Sequence, residues 1–551
     1  MKIALAQINV HIGNFEANFN KIANFIEDAK NQQADIILFP ELSVCGYPPR
    51  DFLDFDDFVD KCYEVIEKIK PLTQEIAVVV GSPSRNPKIE GKDLYNSAFF
   101  IFEGEIKHIV NKALLPTYDI FDEYRYFEPA TEFQNITFKG RKIALTVCED
   151  LWNVGNDNPM YKACPMDVLI KDKVQPEVML NISASPFDYD HAAGRITTLK
   201  ANTTKYKIPV FYVNHCGAQT DLIFDGGSIV VNANSVVFDE MKYFEEQLSV
   251  YDLDEVIASK QTQTIDNVQP KVKIDLIYRA LVTGIRNYFE KLGFKKAILG
   301  LSGGGDSALT AVLAADSLGP ENVWGLLMPS QYSTGHSVTD ALELANNLGI
   351  KHDTIAIKNM YDSVVGELTP LFNGKSFDVT EENIQARLRG LTLMAMCNKH
   401  GYILLNTTNK SEAAVGYGTL YGDLCGGLAV LADVYKTEVY ELVAYINREK
   451  VTIPQHIITK APSAELRPGQ KDQDTLPPYD VLDKILFQYI ELSQSPQDIL
   501  NLGFDEHTVR RTLKMVNSNE WKRFQFPPVL RVSPKAFGVG RRMPIEGKYL
   551  S

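Results

Sequence analysis

The chain changes character once along its length. Near residues 255–275 it turns polar, with Ser259-Lys260-Gln261-Thr262-Gln263-Thr264-Ile265-Asp266-Asn267 at the centre. On both sides, β-branched runs alternate with amphipathic helical patterns. A linker at that point divides 551 residues, too many for a single hydrophobic core, into two parts that can each build their own. The expected organisation is a first domain over residues 1–255, a linker over 256–275 and a second domain over 276–551. In the first part, short apolar runs at 3–10, 35–39, 76–80, 99–102, 142–147, 178–181, 209–213 and 229–231 read as strands. The stretches 17–30 and 59–70 carry apolar residues three and four apart and read as helices. Such alternation builds layers of helix on sheet. In the second part, a helix from Leu276 leads to a strand at 295–301, a helix at 307–318, a strand at 323–328 and a helix at 339–348. That is the opening of a doubly wound parallel sheet, whose ligands sit beyond the carboxyl ends of the strands.

Charge excludes several classes of partner. Seventy acidic residues against 56 basic ones give a net charge of −14, which argues against binding to nucleic acid or an anionic membrane, since both need basic surface. No apolar run reaches the ~18 residues of a membrane span. The N-terminal run is interrupted by Gln7 and Asn9 and reads as a strand, not a signal peptide. Seven scattered cysteines without a Cys-x-x-Cys pair suggest reduced thiols and a cytoplasmic location, not a disulfide framework or a zinc site. The tail runs against the overall charge. From Glu520 onward there are seven basic residues (Lys522, Arg523, Arg531, Lys535, Arg541, Arg542 and Lys548) and two acidic ones, so it reads either as a solvated face or as a phosphate-binding segment.

Three chemically potent residues stand where strands end. Glu41 follows Ile36-Ile37-Leu38-Phe39-Pro40, Lys112 follows the run 106–110, and Cys148 follows Ile143-Ala144-Leu145-Thr146-Val147. Strand ends are rigid enough to hold a nucleophile and its partners in register. A thiol attacks as thiolate, a nearby carboxylate can take its proton, and an ammonium can stabilise the resulting oxyanion. Taken singly, the cysteine could be a small buried hydrophobe and the charged residues solvated. Their context adds to this. Phe39-Pro40-Glu41-Leu42, Lys112 with the stretch Tyr118-Asp119-Ile120-Phe121-Asp122-Glu123-Tyr124-Arg125, and Val147-Cys148-Glu149-Asp150 resemble the carbon–nitrogen hydrolase (nitrilase) superfamily. Gly46-Tyr47-Pro48-Pro49-Arg50-Asp51 and Asn181-Ile182-Ser183-Ala184-Ser185-Pro186 resemble its glutaminase branch. The resemblance implies an αββα sandwich in which Glu41 is general base, Lys112 stabilises the tetrahedral intermediate and Cys148 forms a γ-glutamyl thioester. Tyr118, Ser185 and Arg195 would contact the glutamine, the planar fork of Arg195 suiting an α-carboxylate. Ala218 stands where the family has a second glycine.

The second part carries a glycine turn between strand and helix, Gly300-Leu301-Ser302-Gly303-Gly304-Gly305-Asp306-Ser307. Consecutive glycines let backbone N–H groups converge on an anion, and the helix N-terminus adds its dipole. No lysine follows as a Walker A loop requires. Ser302-Gly303-Gly304-x-Asp306-Ser307 resembles the pyrophosphate-loop ATPases, which release pyrophosphate and transfer AMP, with Gly305 replacing the usual aliphatic residue. Met328-Pro329-Ser330-Gln331, Glu382-Asn383-Ile384-Gln385-Ala386-Arg387, Asn409-Lys410-Ser411-Glu412, Lys436-Thr437 and Ala461-Pro462-Ser463-Ala464-Glu465 resemble the NAD synthetases, with Thr408 where glycine is common. The resemblance implies that residues 300–307, Thr407, Lys436 and Ser463 hold ATP. It places Asn383, Arg387, Glu412 and Lys522 on deamido-NAD, and Mg²⁺ on Glu412 with Asp306 or Glu465. The basic tail would then offset polyanionic substrates, and a homo-oligomer is implied.

Joined, the two resemblances imply an ATP-dependent ligase. Ammonia freed from L-glutamine would pass through a sealed channel to amidate AMP-activated nicotinate adenine dinucleotide, giving NAD, AMP, pyrophosphate and glutamate. Three other readings stand beside it: an amidase with a degenerate ATPase partner, an adenylating ligase making a different amide, and a non-enzymatic assembly protein that kept the fold. The residues alone do not select the acyl acceptor.

Overall fold

The structure is a computed structural model that describes residues 1–156, 158–259 and 272–550. The chain divides into two compact units, Met1–Lys271 and Val272–Ser551. The helix Leu253–Ala258 enters the expected linker from one side and the helix Lys273–Leu292 begins before its end. Residues 260–271, the middle of that linker, lie outside the described residues.

The strands of the first unit are β1 (Lys2–Gln7), β2 (Ile36–Leu38), β3 (Ala77–Arg85), β4 (Leu94–Phe102), β5 (Glu105–Asn111), β6 (Ile136–Phe138), β7 (Arg141–Val147), β8 (Val178–Ser183), β9 (Val210–Asn214), β10 (Cys216–Gln219), β11 (Leu222–Asp225), β12 (Ile229–Val231), β13 (Val237–Glu240) and β14 (Gln247–Asp252). They form two sheets, ordered β14-β1-β2-β3-β4-β5 and β13-β12-β9-β8-β7-β6, with β10 and β11 as a separate hairpin. The inner faces meet through Ile3, Leu5, Ile36, Leu38 and Val79 from one sheet and Leu145, Val147, Leu180, Ile182 and Phe211 from the other. Outside the first sheet, α1 (Phe15–Asn31) and α2 (Asp56–Ile69) lay Ile22, Ile26, Val59 and Ile66 against Ala4, Ile37 and Val78. Outside the second, α3 (Pro165–Leu169) and α4 (His191–Tyr206) bring Met166, Leu199 and Tyr206 onto Ala144, Met179 and Tyr212. With both faces covered, the central strands read as continuous apolar runs and not as alternating ones; β2 and β8 are buried at every position. This is the αββα sandwich expected from the sequence.

In the second unit, after α5 (Leu253–Ala258) of the first and α6 (Lys273–Leu292), the elements alternate. They run β15 (Ala297–Gly300), α7 (Gly305–Leu318), β16 (Val323–Leu327), α8 (Gly335–Leu348), β17 (Lys351–Thr354), α9 (Lys358–Leu368), α10 (Val379–His400), β18 (Ile403–Asn406), α11 (Lys410–Val415), β19 (Leu428–Ala429) and α12 (Lys436–Ile446). The sheet order is β17-β16-β15-β18-β19, and every pairing is parallel. The chain leaves β15 in one direction and returns to pair on its other side, so the turn after Gly300 lies at the point of reversal, where such sheets open a crevice.

Lys410 anchors the tail to this unit. Its ammonium is fully buried and lies 2.8 Å from Asp433 Oδ1, and it donates to Ser533 Oγ at 2.7 Å, to the Lys535 carbonyl at 2.8 Å and to Glu491. Asp433 in turn accepts the N–H groups of Val532 and Ser533. Replacing Lys410 with Met strands two buried carboxylates, which costs about 3–5 kcal/mol. Denaturant unfolding of K410M should show that loss, and an unchanged midpoint would mean that the anchor does not contribute to stability.

Candidate active sites

In the first unit, the three residues at strand ends come together. Glu41 follows β2, Lys112 follows β5 and Cys148 follows β7, so the first two come from one sheet and the third from the other. Lys112 Nζ, with no exposure, sits 2.7 Å from Glu41 Oε1 and 2.8 Å from Glu123 Oε1. Glu41 is held from every side. Asn96 donates to its Oε1 at 2.6 Å, the Ala184 N–H to its Oε2 at 2.9 Å, and His215 Nε2 lies 2.6 Å from its carbonyl. The backbone approach is equally close: a Cβ on Gly81 would lie 2.2 Å from the Leu42 nitrogen and 2.7 Å from the Glu41 carbonyl carbon. Cys148 has φ +45° and Leu42 has φ +47°, a left-handed backbone that costs a side-chain-bearing residue about 1–3 kcal/mol and persists only where the surroundings impose it.

The electrostatics follow from burial. Desolvation works against the Lys112 charge, but the Glu123 and Glu41 carboxylates outweigh it and hold the ammonium well above its usual range. Burial, then repulsion from Glu41, pushes the Cys148 thiol up, and Lys112 only partly offsets them. Glu123 is pushed up to about 7 by burial, against the pull of Lys112 and with Glu41 adding to the rise. The cysteine therefore rests as a thiol and needs a base to become a nucleophile.

Four residues of this site were not singled out from the sequence. Glu123 and Asp150 lie inside the motifs around Lys112 and Cys148. Asp150 is pushed up to about 6 by burial although its Oδ1 accepts the Ala113 and Leu114 N–H groups and its Oδ2 that of Val147, so it ties the Lys112 strand end to the Cys148 turn. Asn96, inside β4, bridges Glu41 and Glu123. His191 lies 2.7 Å from Ser185 Oγ and stacks on Trp152, four residues past Cys148. Neither of these two carried a sequence signal; Asn96 lies outside the run read as a strand at 99–102.

The residues expected to bind glutamine separate. Tyr118 OH donates to Glu149 next to Cys148 at 3.1 Å, and Ser185 lies on the segment that supplies Ala184 to Glu41. Arg195 is engaged elsewhere. Its fork pairs with both oxygens of Asp225 at 3.1 and 2.7 Å, and it is 1% exposed. Asn214 joins that pair to Ser185.

In the second unit, a cavity of about 310 Å³ opens at the sheet's switch point, lined by Gly300, Leu301, Ser302, Gly304, Gly305, Asp306 and Ser307 together with Thr407, Glu412, Lys436, Ser463 and Glu465. The turn folds on itself through Ser302 Oγ, 2.9 Å from Ser307 Oγ and accepting the Gly304 N–H at 3.1 Å. No side chain caps α7, which leaves its first N–H groups to a ligand. Gly303 turns away with φ +74°, where a Cβ would meet the Ser337 carbonyl at 2.2 Å. Lys436 bonds Asp306, whose other oxygen accepts from Asn409 at 3.0 Å. Burial first, then Asp306, raises the Glu412 carboxyl well above its usual range.

Asp306 and Glu412 are thus adjacent, whereas Glu465 is held by Thr334 Oγ1 at 2.9 Å and Ser337 Oγ at 2.6 Å at the start of α8. Among the described residues no three His, Cys, Asp or Glu side chains form a metal-holding group. Asn383, Arg387 and Lys522 do not line the cavity. All three hold one strap: Asn383 accepts from Thr419 Oγ1 at 2.6 Å, Arg387 donates to the Leu420 carbonyl at 3.3 Å, and Lys522 donates to the carbonyls of Gly416 and Gly418. Several basic residues of the tail also have partners within the fold. Arg523 and Arg541 share Glu520 at 2.7 Å, and Arg531 donates to the carbonyls of Ser533 and Pro534.

Two known families match these halves, carbon-nitrogen hydrolase over residues 2–261 and NAD synthase over residues 277–526. A glutamine-dependent NAD(+) synthetase of Synechocystis sp. is 45% identical over 549 residues, covering 98% of each chain. That of Thermotoga maritima is 39% identical over 100% of this chain and 99% of its own. Among solved structures, the glutamine-dependent NAD+ synthetase of Acinetobacter baumannii in complex with adenosine diphosphate aligns with a TM-score of 0.77 at 37% identity, covering 99% and 98% of the two chains. The enzyme of Cytophaga hutchinsonii shares the fold, with a TM-score of 0.83 at 22% identity over 100% and 98%. With relatives this similar along its whole length and both catalytic units in place, the chain belongs to the glutamine-dependent NAD(+) synthetase family.

Proposed function

We propose that Cys148 attacks the side-chain amide of L-glutamine while Glu41 takes the thiol proton, and that the ammonia released is used at the cavity of the second unit. The observation that carries this reading is the buried Lys112 ammonium clamped between Glu41 and Glu123 and interacting electrostatically with Cys148. It supplies positive charge where the amide oxygen becomes an oxyanion, in a site that excludes water. Glu41 then returns the proton to the departing nitrogen, leaving a γ-glutamyl thioester, and next activates the water that hydrolyses it. Tyr118 and Ser185 contact the glutamine, and Arg195 organises Ser185 through Asp225 and Asn214.

At the second unit, residues 300–307 with Thr407, Lys436 and Ser463 hold ATP, a reading supported by the ADP complex of the Acinetobacter relative. The carboxylate of nicotinate adenine dinucleotide attacks the α-phosphorus and pyrophosphate leaves. Ammonia then attacks the acyl carbon and expels AMP, a far better leaving group than oxide. Asp306 and Glu412, two neighbouring carboxylates, are oxygen donors of the kind Mg²⁺ takes; bound there, the ion would offset charge on the phosphates. Glu412 faces the dinucleotide directly, and Asn383, Arg387 and Lys522 act on it through the strap they hold. Ammonia in bulk water is mostly ammonium, so its transfer between the units is shielded.

A second copy of the chain covers one face of the second unit. Leu391 and Met394 on α10, with Tyr421 and Phe524, are 64, 40, 70 and 64% exposed. A Cβ on Gly390 would lie 2.9 Å from the Tyr421 carbonyl and Tyr421 OH reaches Gln525 at 2.7 Å, so these side chains share one region. Cytoplasmic residence is supported by seven cysteines outside any disulfide. Among the described residues, no helix is long and apolar enough to cross a membrane.

C148A should abolish glutamine-driven synthesis of NAD and retain ammonia-driven synthesis; equal loss with both donors would refute two separate sites. D306A should lose ATP-dependent turnover with either donor by about 10²-fold or more, and mass spectrometry of the wild-type products should find AMP and pyrophosphate. ADP in their place would overturn the adenylation chemistry. L391D combined with F524S should lower the assembly state seen by light scattering, and an unchanged mass would remove this face from the interface.

A further inference from the structure

Arg389 lies two residues beyond Arg387 on α10 but faces the other way: Arg387 is exposed, whereas Arg389 lines the cavity of the second unit. The other cations of that cavity are neutralised within the protein. Lys436 pairs with Asp306, and Lys460 sits 3.7 Å from Asp340 and 3.0 Å from Ser337 Oγ. Among the described residues Arg389 has one hydrogen bond, from Nε to the Met328 carbonyl at 3.0 Å, and no carboxylate within ion-pair distance. Asp423 and Glu465 favour its charge only from further off, and burial outweighs them. A guanidinium cannot shed its proton to escape that cost. Its two terminal nitrogens remain as a planar fork at the carboxyl end of β16, in the cavity that also holds the pyrophosphate loop.

We propose that Arg389 is a phosphate-binding residue of the synthetase cavity, completing its charge when a nucleotide substrate arrives. The fork matches two phosphoryl oxygens, supplied either by ATP or by the pyrophosphate bridge of the dinucleotide. The proposal rests on the cavity being the nucleotide site.

The test uses the full chain with R389Q and R389K, measuring calorimetric binding of ATP, of deamido-NAD and of its amide product NAD. Loss of one or two charged hydrogen bonds predicts a weakening of about 10–100-fold in R389Q for ATP or for both dinucleotides, with R389K recovering part of it. Weaker ATP binding identifies ATP as the source, and equal weakening for both dinucleotides identifies their pyrophosphate. Weakening confined to deamido-NAD would mean that the fork holds a carboxylate, and it would overturn the phosphate assignment, as would unchanged binding of every ligand in a folded variant. D306A measured alongside separates the two layers. If it loses ATP binding while R389Q weakens no ligand, only the role of Arg389 fails; if D306A leaves ATP binding unchanged, the cavity reading fails. Should both Arg389 variants misfold, phenylglyoxal labelling of the unsubstituted chain, mapped by peptide mass, gives the same answer: ATP or a dinucleotide should shield Arg389, and labelling at an unchanged rate with all of them present would refute the proposal.

Discussion

The charge that organises the first unit is the Lys112 ammonium, removed from water and clamped between two carboxylates. An isolated ammonium in that position would be driven to lose its proton. It stays charged because Glu41 and Glu123 face it, and they stay in place because strand ends and backbone N–H groups hold them. The three charges cannot be moved singly, since removing one leaves the others buried and unpaired. That mutual dependence turns the ends of β2, β5 and β7 into one rigid site. It also explains the tolerance for left-handed backbone at Leu42 and Cys148.

The second unit solves a different problem. Its ligands are polyanions that must enter and leave, so its charges line a cavity instead of filling one. Lys436 is already matched by Asp306, and Asn409, the first residue of a capping box with Glu412, also bonds Asp306. The phosphate turn, α11 and α12 are thereby tied into one wall. The arginines of the tail work on structure, neutralising Glu520 and closing backbone carbonyls. Net charge along a segment is a weak guide to where that charge acts, because a long side chain follows the nearest unsatisfied partner.

Individual residues show how far the sequence could be read. The strand ends bearing Glu41, Lys112 and Cys148 were legible because apolar runs stop abruptly beside reactive side chains. Arg195 was marked only by the family resemblance, and nothing local announced its pairing with Asp225, thirty residues on. Asn383, Arg387 and Lys522 are brought to one strap, a convergence with no local trace. In the sequence, Arg389 is indistinguishable from its neighbour Arg387. Two residues on an α-helix diverge by about 200°, so only the packing of α10 tells which arginine points inward.

The sequence by itself determined two α/β units, the order of their elements, the thiol–carboxylate–ammonium chemistry of the first and the anion-binding turn of the second. These are local matters: periodicity sets the elements, and motifs of a few adjacent residues set the reactive groups. Only the tertiary structure decided which charges face one another, which carboxylates are already matched and which cation is left for a ligand. Coulomb energy and desolvation depend on distance and burial in three dimensions, and neither follows from separation along the chain.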